Sequence, residues 1–80
     1  MRLDKYLKVS RIIKRRTVAN EACDAGRVSL NGKVAKAGSE VQVGDVIEIR
    51  FGNATTRAKV LSLSENPRKE EAAGLYEILP

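Results

Sequence analysis

Histidine and tryptophan are missing from this 80-residue sequence, and cysteine occurs once, at Cys23. Without histidine the chain lacks the side chain most used as a proton shuttle near neutral pH and as a metal ligand. A single cysteine excludes an intrachain disulfide and any cysteine cluster that could hold a metal. Aromatic residues are confined to Tyr6, Phe51 and Tyr76, which argues against a base-stacking platform for single-stranded RNA. No apolar run approaches the roughly 20 residues that span a bilayer, and Met1 leads straight into RLDKYLKV instead of an apolar signal region. A chain of this length buries one modest core and leaves no room for a separate catalytic domain. No catalytic residue, nucleophile–base pair, metal site or cofactor motif is visible. The expectation is a non-enzymatic cytoplasmic protein that keeps off the membrane and needs no cofactor.

What the sequence has is positive charge, concentrated at one end. The 15 Lys and Arg residues exceed the 10 Asp and Glu residues by five. Residues 1–16 hold Arg2, Lys5, Lys8, Arg11, Lys14, Arg15 and Arg16 against Asp4 alone, while the remainder is slightly acidic. Solubility gives no reason to gather the whole surplus at one end, whereas a surface for a polyanion does. Like charges this close repel one another unless an anion lies between them. A solvated helix face is the plain alternative.

Two periods divide the chain. In RLDKYLKV, Leu3, Tyr6 and Leu7 fall on one helical stripe, and Lys5 and Lys8 point away from it. Continued at about 100° per residue, the stripe misses Ile12 and Ile13, so the helix ends or bends near Val9–Arg11. Thr17 is placed to cap a second helix, VANEACDA, with Gly26 as its stop because glycine reaches positive φ without steric cost. The basic stretch SRIIKRRTV is therefore the corner between two short helices. After Gly26 the period is two: Val28 and Leu30 alternate before the Asn31-Gly32 turn signal. EVQVGDVIEIRF alternates through Val41 and Val43, breaks at Gly44-Asp45, and resumes at Ile47, Ile49 and Phe51. Gly52-Asn53 reverses the chain into TTRAKVLSL. The final SENPRKEEAAGLYEILP allows a helical turn around Arg68–Ala73 before LYEIL docks. The fold class is α+β, with two short N-terminal helices packed on a small, mostly antiparallel sheet. Residues 1–64 form the domain, and 65–80 form a tail packed on it.

RLDKYL at the start, R..K.R..A.E....G.V..NG from Arg11 to Gly32, and V..GD.I from Val41 to Ile47 form an ordered series. Together they resemble the S-four (S4) RNA-binding domain, named after a small-subunit ribosomal protein. The likeness covers residues 1–52, and the series is far more specific than any one of its pieces. Within that superfamily the whole chain, LYEIL included, is most similar to the small ribosome-associated quality-control factors of bacteria. The fifteen-kilodalton ribosome-associated heat-shock proteins come next. Those carry a long basic C-terminal extension, where this chain has an acidic, apolar tail.

The resemblance implies a monomeric RNA-binding protein that recognises large ribosomal subunits obstructed by peptidyl-tRNA. It would contact large-subunit rRNA and the peptidyl-tRNA, and support the addition of C-terminal alanine tails by the partner RqcH. Peptide-bond chemistry would remain with the ribosome. Rescue of obstructed subunits without tailing, and regulation of an RNA or DNA outside the ribosome, stay open as other readings.

Arg2, Lys5 and Lys8 match basic positions of the family's first helix, and Arg11, Lys14, Arg15 and Arg16 continue the charge around the corner. RNA contact is preferred for all seven, because phosphate neutralisation dominates nucleic-acid affinity. Arg16 is the sharpest candidate: a guanidinium fork beside the helix start suits a phosphate, against a bridge to Asp24 or Glu21. Asp4 complements the first helix's dipole and pairs with Lys8 on sequence grounds. The resemblance adds a second role for it, orienting Arg2 or accepting a hydrogen bond from RNA. Lys33 serves the hairpin first and RNA second, and Arg27 is balanced between the two faces. Tyr6 belongs to the core more than to a base stack, and Cys23 is a small buried hydrophobe.

Overall fold

Leu3, Tyr6 and Leu7 are fully buried on one face of α1 (Leu3–Val9). The computed structural model describes residues 1–65 and 67–80, with every side chain among them except that of Lys69. Helix α1 stops as the stripe predicts: Ser10 caps it and Arg11 takes a left-handed φ of 64°. That reversal swings Ile13 into the core, where it is 6% exposed and its N–H donates to the Leu7 carbonyl at 3.0 Å.

Helix α2 (Arg16–Asp24) begins two residues earlier than a Thr17 cap requires. Arg15, extended at φ −116° and ψ 129°, holds the capping position without a side-chain cap. Thr17 therefore sits within the first turn, because burial of Ile13 fixes where the chain re-enters a helix. At the other end the sequence is obeyed. Gly26 adopts φ 74°, its N–H donates to the Cys23 carbonyl and the Arg27 N–H to the Ala22 carbonyl, each at 3.0 Å. This is the Schellman pattern of helix ends.

The sheet has five antiparallel strands: β1 (Val28–Leu30), β2 (Lys33–Val34), β3 (Val46–Phe51), β4 (Ala54–Val60) and β5 (Tyr76–Leu79). Their spatial order is β2-β1-β3-β4-β5. Asn31 and Gly32, at φ 51° and 85°, make the turn between β1 and β2, with the paired left-handed conformations of a type I′ hairpin. Between Val41 and Val46 the expected alternation fails: Val41 is buried but Val43 is 61% exposed. A turn across Gln42–Asp45, in which the Gln42 N–H donates to Asp45 Oδ2, replaces the strand and rotates Val43 outward. Phe51 ends β3 beside an open cleft along α2 and is 44% exposed instead of buried.

One face of the sheet meets the helices, where Val28, Ile47, Ile49 and Val60 join Leu3, Tyr6, Leu7, Ala19 and Cys23. Residues 35–41 clasp the start of α1: the Leu3 and Asp4 N–H groups donate to the Ser39 and Ala37 carbonyls. Arg2 bridges Glu40 in antiparallel fashion, and the N-terminal ammonium pairs with the Glu40 carboxylate. At the far end α3 (Lys69–Ala72) and a 3-10 turn, Ala73–Leu75, lead into β5. The Tyr6 hydroxyl donates to the Leu75 carbonyl at 2.6 Å. Tyr6 is thus a core residue that ties α1 to the 3-10 turn ahead of the last strand.

Candidate nucleic-acid interface

Asp4 is 2% exposed, and five donors converge on it. Arg2 approaches through Nε at 3.2 Å and Nη2 at 3.4 Å, Arg16 through Nε at 3.3 Å, and Asn20 through Nδ2 at 3.3 Å. The Lys5 backbone N–H donates at 2.8 Å. Burial would raise the carboxyl's pKa. Hydrogen bonds from Arg16, Asn20 and the Lys5 backbone, with the Arg16 charge, outweigh burial and hold it below its ordinary 3.8. Asp4 is therefore ionised near neutral pH and acts as a fixed anchor under two guanidinium groups.

The arrangement replaces two sequence-based pairings. Asp4 bonds Arg2 and Arg16 instead of Lys8, and Arg16 reaches Asp4 instead of Asp24 or Glu21. The first helix's N-terminal turn and the start of α2 lie side by side, which no spacing within one helix reveals. Arg2 and Arg16 remain about half exposed, at 54% and 48%. Arg16 engages Asp4 through Nε alone, so among the described residues both terminal nitrogens are open to another acceptor. A guanidinium held by its inner nitrogen and offering its outer ones suits a phosphate oxygen pair.

The other cations surround a separate cleft of about 350 Å³ at the end of α1, lined by Lys8, Val9, Arg11, Lys14, Glu65 and Pro67. Lys5 lies between the two groups and pairs with Glu65 at 3.2 Å. Arg15, exposed at the start of α2, completes the corner. Arg27 stands apart: it follows the far end of α2 and lines a cleft of about 250 Å³ with Val18, Glu21 and Phe51. Lys33 is exposed on edge strand β2. The structure thus gathers the first-helix and corner cations and leaves Arg27 and Lys33 outside that gathering.

Two participants escaped the sequence reading. Asn20 is four residues after Arg16, so both face Asp4 from one side of α2, a spacing that could have exposed it. Glu65 lies 60 residues from Lys5, and nothing local marks it. Cys23 is buried, and burial, with the negative charges of Asp4 and Asp24, pushes its thiol up to about 11. It is a packing residue with little thiolate. Among the described residues no group of acidic, cysteine or histidine side chains could hold a metal ion, and no helix is long and apolar enough to cross a membrane.

The S4 domain family matches residues 1–47. A Streptococcus pneumoniae (strain ATCC BAA-255 / R6) protein called RQC P-site tRNA stabilizing factor is 58% identical over 79 residues, spanning 99% of this chain and 90% of the relative. Its namesake from Bacillus subtilis (strain 168) is 54% identical, spanning 99% of this chain and 92% of that protein. Among solved structures, Vibrio cholerae Heat Shock Protein 15, described as trimeric, superposes with a TM-score of 0.89 at 32% identity. That likeness covers 99% of this chain and 81% of the Vibrio chain.

Proposed function

The chain belongs to the S4 domain family and, within it, to the RQC P-site tRNA stabilizing factors (RqcP), and from that membership we propose a factor that steadies peptidyl-tRNA on obstructed large ribosomal subunits. It contacts large-subunit rRNA and the tRNA in the cytoplasm, and supports RqcH-dependent alanine tailing of the stalled chain. The observation that carries the reading is the Asp4 anchor, which fixes Arg2 and Arg16 on the same pole as five further cations. Such a surface supplies charge in a set geometry and nothing that breaks or makes bonds, so it acts by holding RNA. The RNA-facing set is Arg2, Lys5, Lys8, Arg11, Lys14, Arg15 and Arg16, oriented by Asp4, with Arg27 and Lys33 as outlying contacts.

Tail length on a stalled reporter tests this. Deletion of the gene is expected to abolish or sharply shorten alanine tails while leaving ordinary translation nearly normal, and an Arg16→Ala copy is expected not to restore them. The close superposition on a heat-shock protein favours one rival, rescue of the obstructed subunit without tailing. Normal tails in the deletion strain would select that rival. The protein is proposed to bind as a monomer, which sedimentation of the free protein measures directly; the trimer is a statement about the Vibrio relative.

A further inference from the structure

Both N-terminal helices end on a left-handed residue, but a different one in each. At the end of α2 the left-handed position is Gly26, at φ 74°. At the end of α1 the equivalent position is Arg11, at φ 64°, and its N–H donates to the Lys8 carbonyl at 3.1 Å as that of Gly26 does to Cys23. A side chain with a Cβ is strained in this conformation, which is why glycine dominates such ends. Arginine has no local hydrogen bond to its own backbone to offset the strain, unlike asparagine. Burial does not explain its presence either, because Arg11 is exposed. Among the described residues it has no carboxylate partner, and neither have Lys8 and Lys14, the other two cations of the cleft. Among the described residues the only carboxylate lining that cleft, Glu65, is engaged by Lys5. Favourable placement of positive charge at a helix C-terminus accounts for one such residue, and Lys8 already supplies it.

We infer that the cleft at the end of α1 is a seat for an RNA backbone phosphate, distinct from the Asp4-anchored pair, and that Arg11 occupies a glycine position because its positive charge is needed there. The seat rests on the RNA-binding reading above and sharpens it. Arg2 and Arg16 are oriented by a buried carboxylate. Arg11 is oriented by its own backbone, which turns it out of the helix between Lys8 and Lys14.

The test is Arg11→Gly in the full chain, with large subunits carrying peptidyl-tRNA as the probe and binding followed by sedimentation across a salt series. Relief of the left-handed strain is expected to raise Tm by roughly 2–4 °C, after the flexibility that glycine adds to the unfolded chain. Loss of one phosphate contact is expected to make the log–log salt slope shallower by roughly 0.7–0.9. Arg11→Lys, equally strained and still charged, should keep the parent's slope and Tm. A stabilised Arg11→Gly protein with the parent's affinity and slope would overturn the seat. A Tm below the parent's would overturn the claim that the position is held against a backbone preference. Failure of the parent itself to sediment with the particles would instead strike the RNA-binding reading on which the seat depends.

Discussion

Asp4 carries more of the candidate interface than any cation, because it sets where two of them stand. Its carboxyl titrates below 3.8 in the folded chain, so between the folded and unfolded values the unfolded state binds more protons. Its contribution to stability is present above the unfolded value and is lost as pH falls through the folded one. Asp4→Asn removes that dependence: thermal melts should start lower near neutral pH, by on the order of 1–3 kcal/mol, and then decline less than the parent's in acid. Parallel curves would mean that the carboxylate is not the titrating anchor. Arg16 is different, being half exposed and held by Asp4 only through its inner nitrogen, Nε. Arg16→Ala should lower the melt by less than Asp4→Asn does, because Arg2, Asn20 and the Lys5 N–H stay on the carboxylate, while weakening binding to the particles, and Arg16→Lys should restore binding only in part, lacking the planar fork. Tyr6 gives the alkaline counterpart. Burial, with the neighbouring Tyr76, pushes its hydroxyl up to about 12 from 10.0, so stability is full below pH 10 and falls as pH rises toward the folded value. Tyr6→Phe loses the bond to Leu75, about 1 kcal/mol, and should remove that part of the alkaline decline.

At the scale of elements, local patterns were legible wherever a periodicity or a backbone requirement acted within a few residues. The Leu3–Tyr6–Leu7 stripe, the stop at Gly26, the Asn31-Gly32 turn and the alternation of Ile47 and Ile49 all lie where their spacing puts them. The Thr17 cap did not survive because Ile13, whose place is set by core packing and not by spacing, moved the helix start. Val43 broke its alternation because the Gln42–Asp45 turn intervened. The Asp4 cluster joins residues 2, 4, 16 and 20 across two helices. Its charges were visible in the sequence, but its geometry depends on how α1 and α2 pack. Gly26 offers the cleanest test of an element boundary. A Cβ there would stand 3.9 Å from the Val34 side chain, so space is adequate and the positive φ alone opposes substitution. Gly26→Val should therefore destabilise the fold by roughly 1–3 kcal/mol, read as a lowered Tm. A melt matching the parent's would show that the helix end tolerates another conformation.

Over the whole molecule, the charge is arranged as a pole and not as a coat. The surplus of six in the first 16 residues faces a remainder that is one negative. The sheet face turned away from the helices carries both signs, with Arg57 bridging Glu48 at 3.7 Å and Lys59 set opposite Glu77 across the strands. Arg50 lies on that face too, exposed and opposite Thr55. If the protein meets RNA through net charge alone, any lost cation is equivalent, since the long-range field responds to the sum. If it meets RNA through the pole, only cations there neutralise phosphates and release counterions. Arg50→Ala and Arg16→Ala change the net charge by the same single unit, so comparing them isolates position. Particle binding across a salt series should give the Arg50 variant the parent's slope and affinity. The Arg16 variant should bind more weakly, with a slope shallower by roughly 0.7–0.9. Equal weakening of the two would make the asymmetry of the sequence irrelevant to binding, whereas the expected split assigns recognition to the corner between α1 and α2.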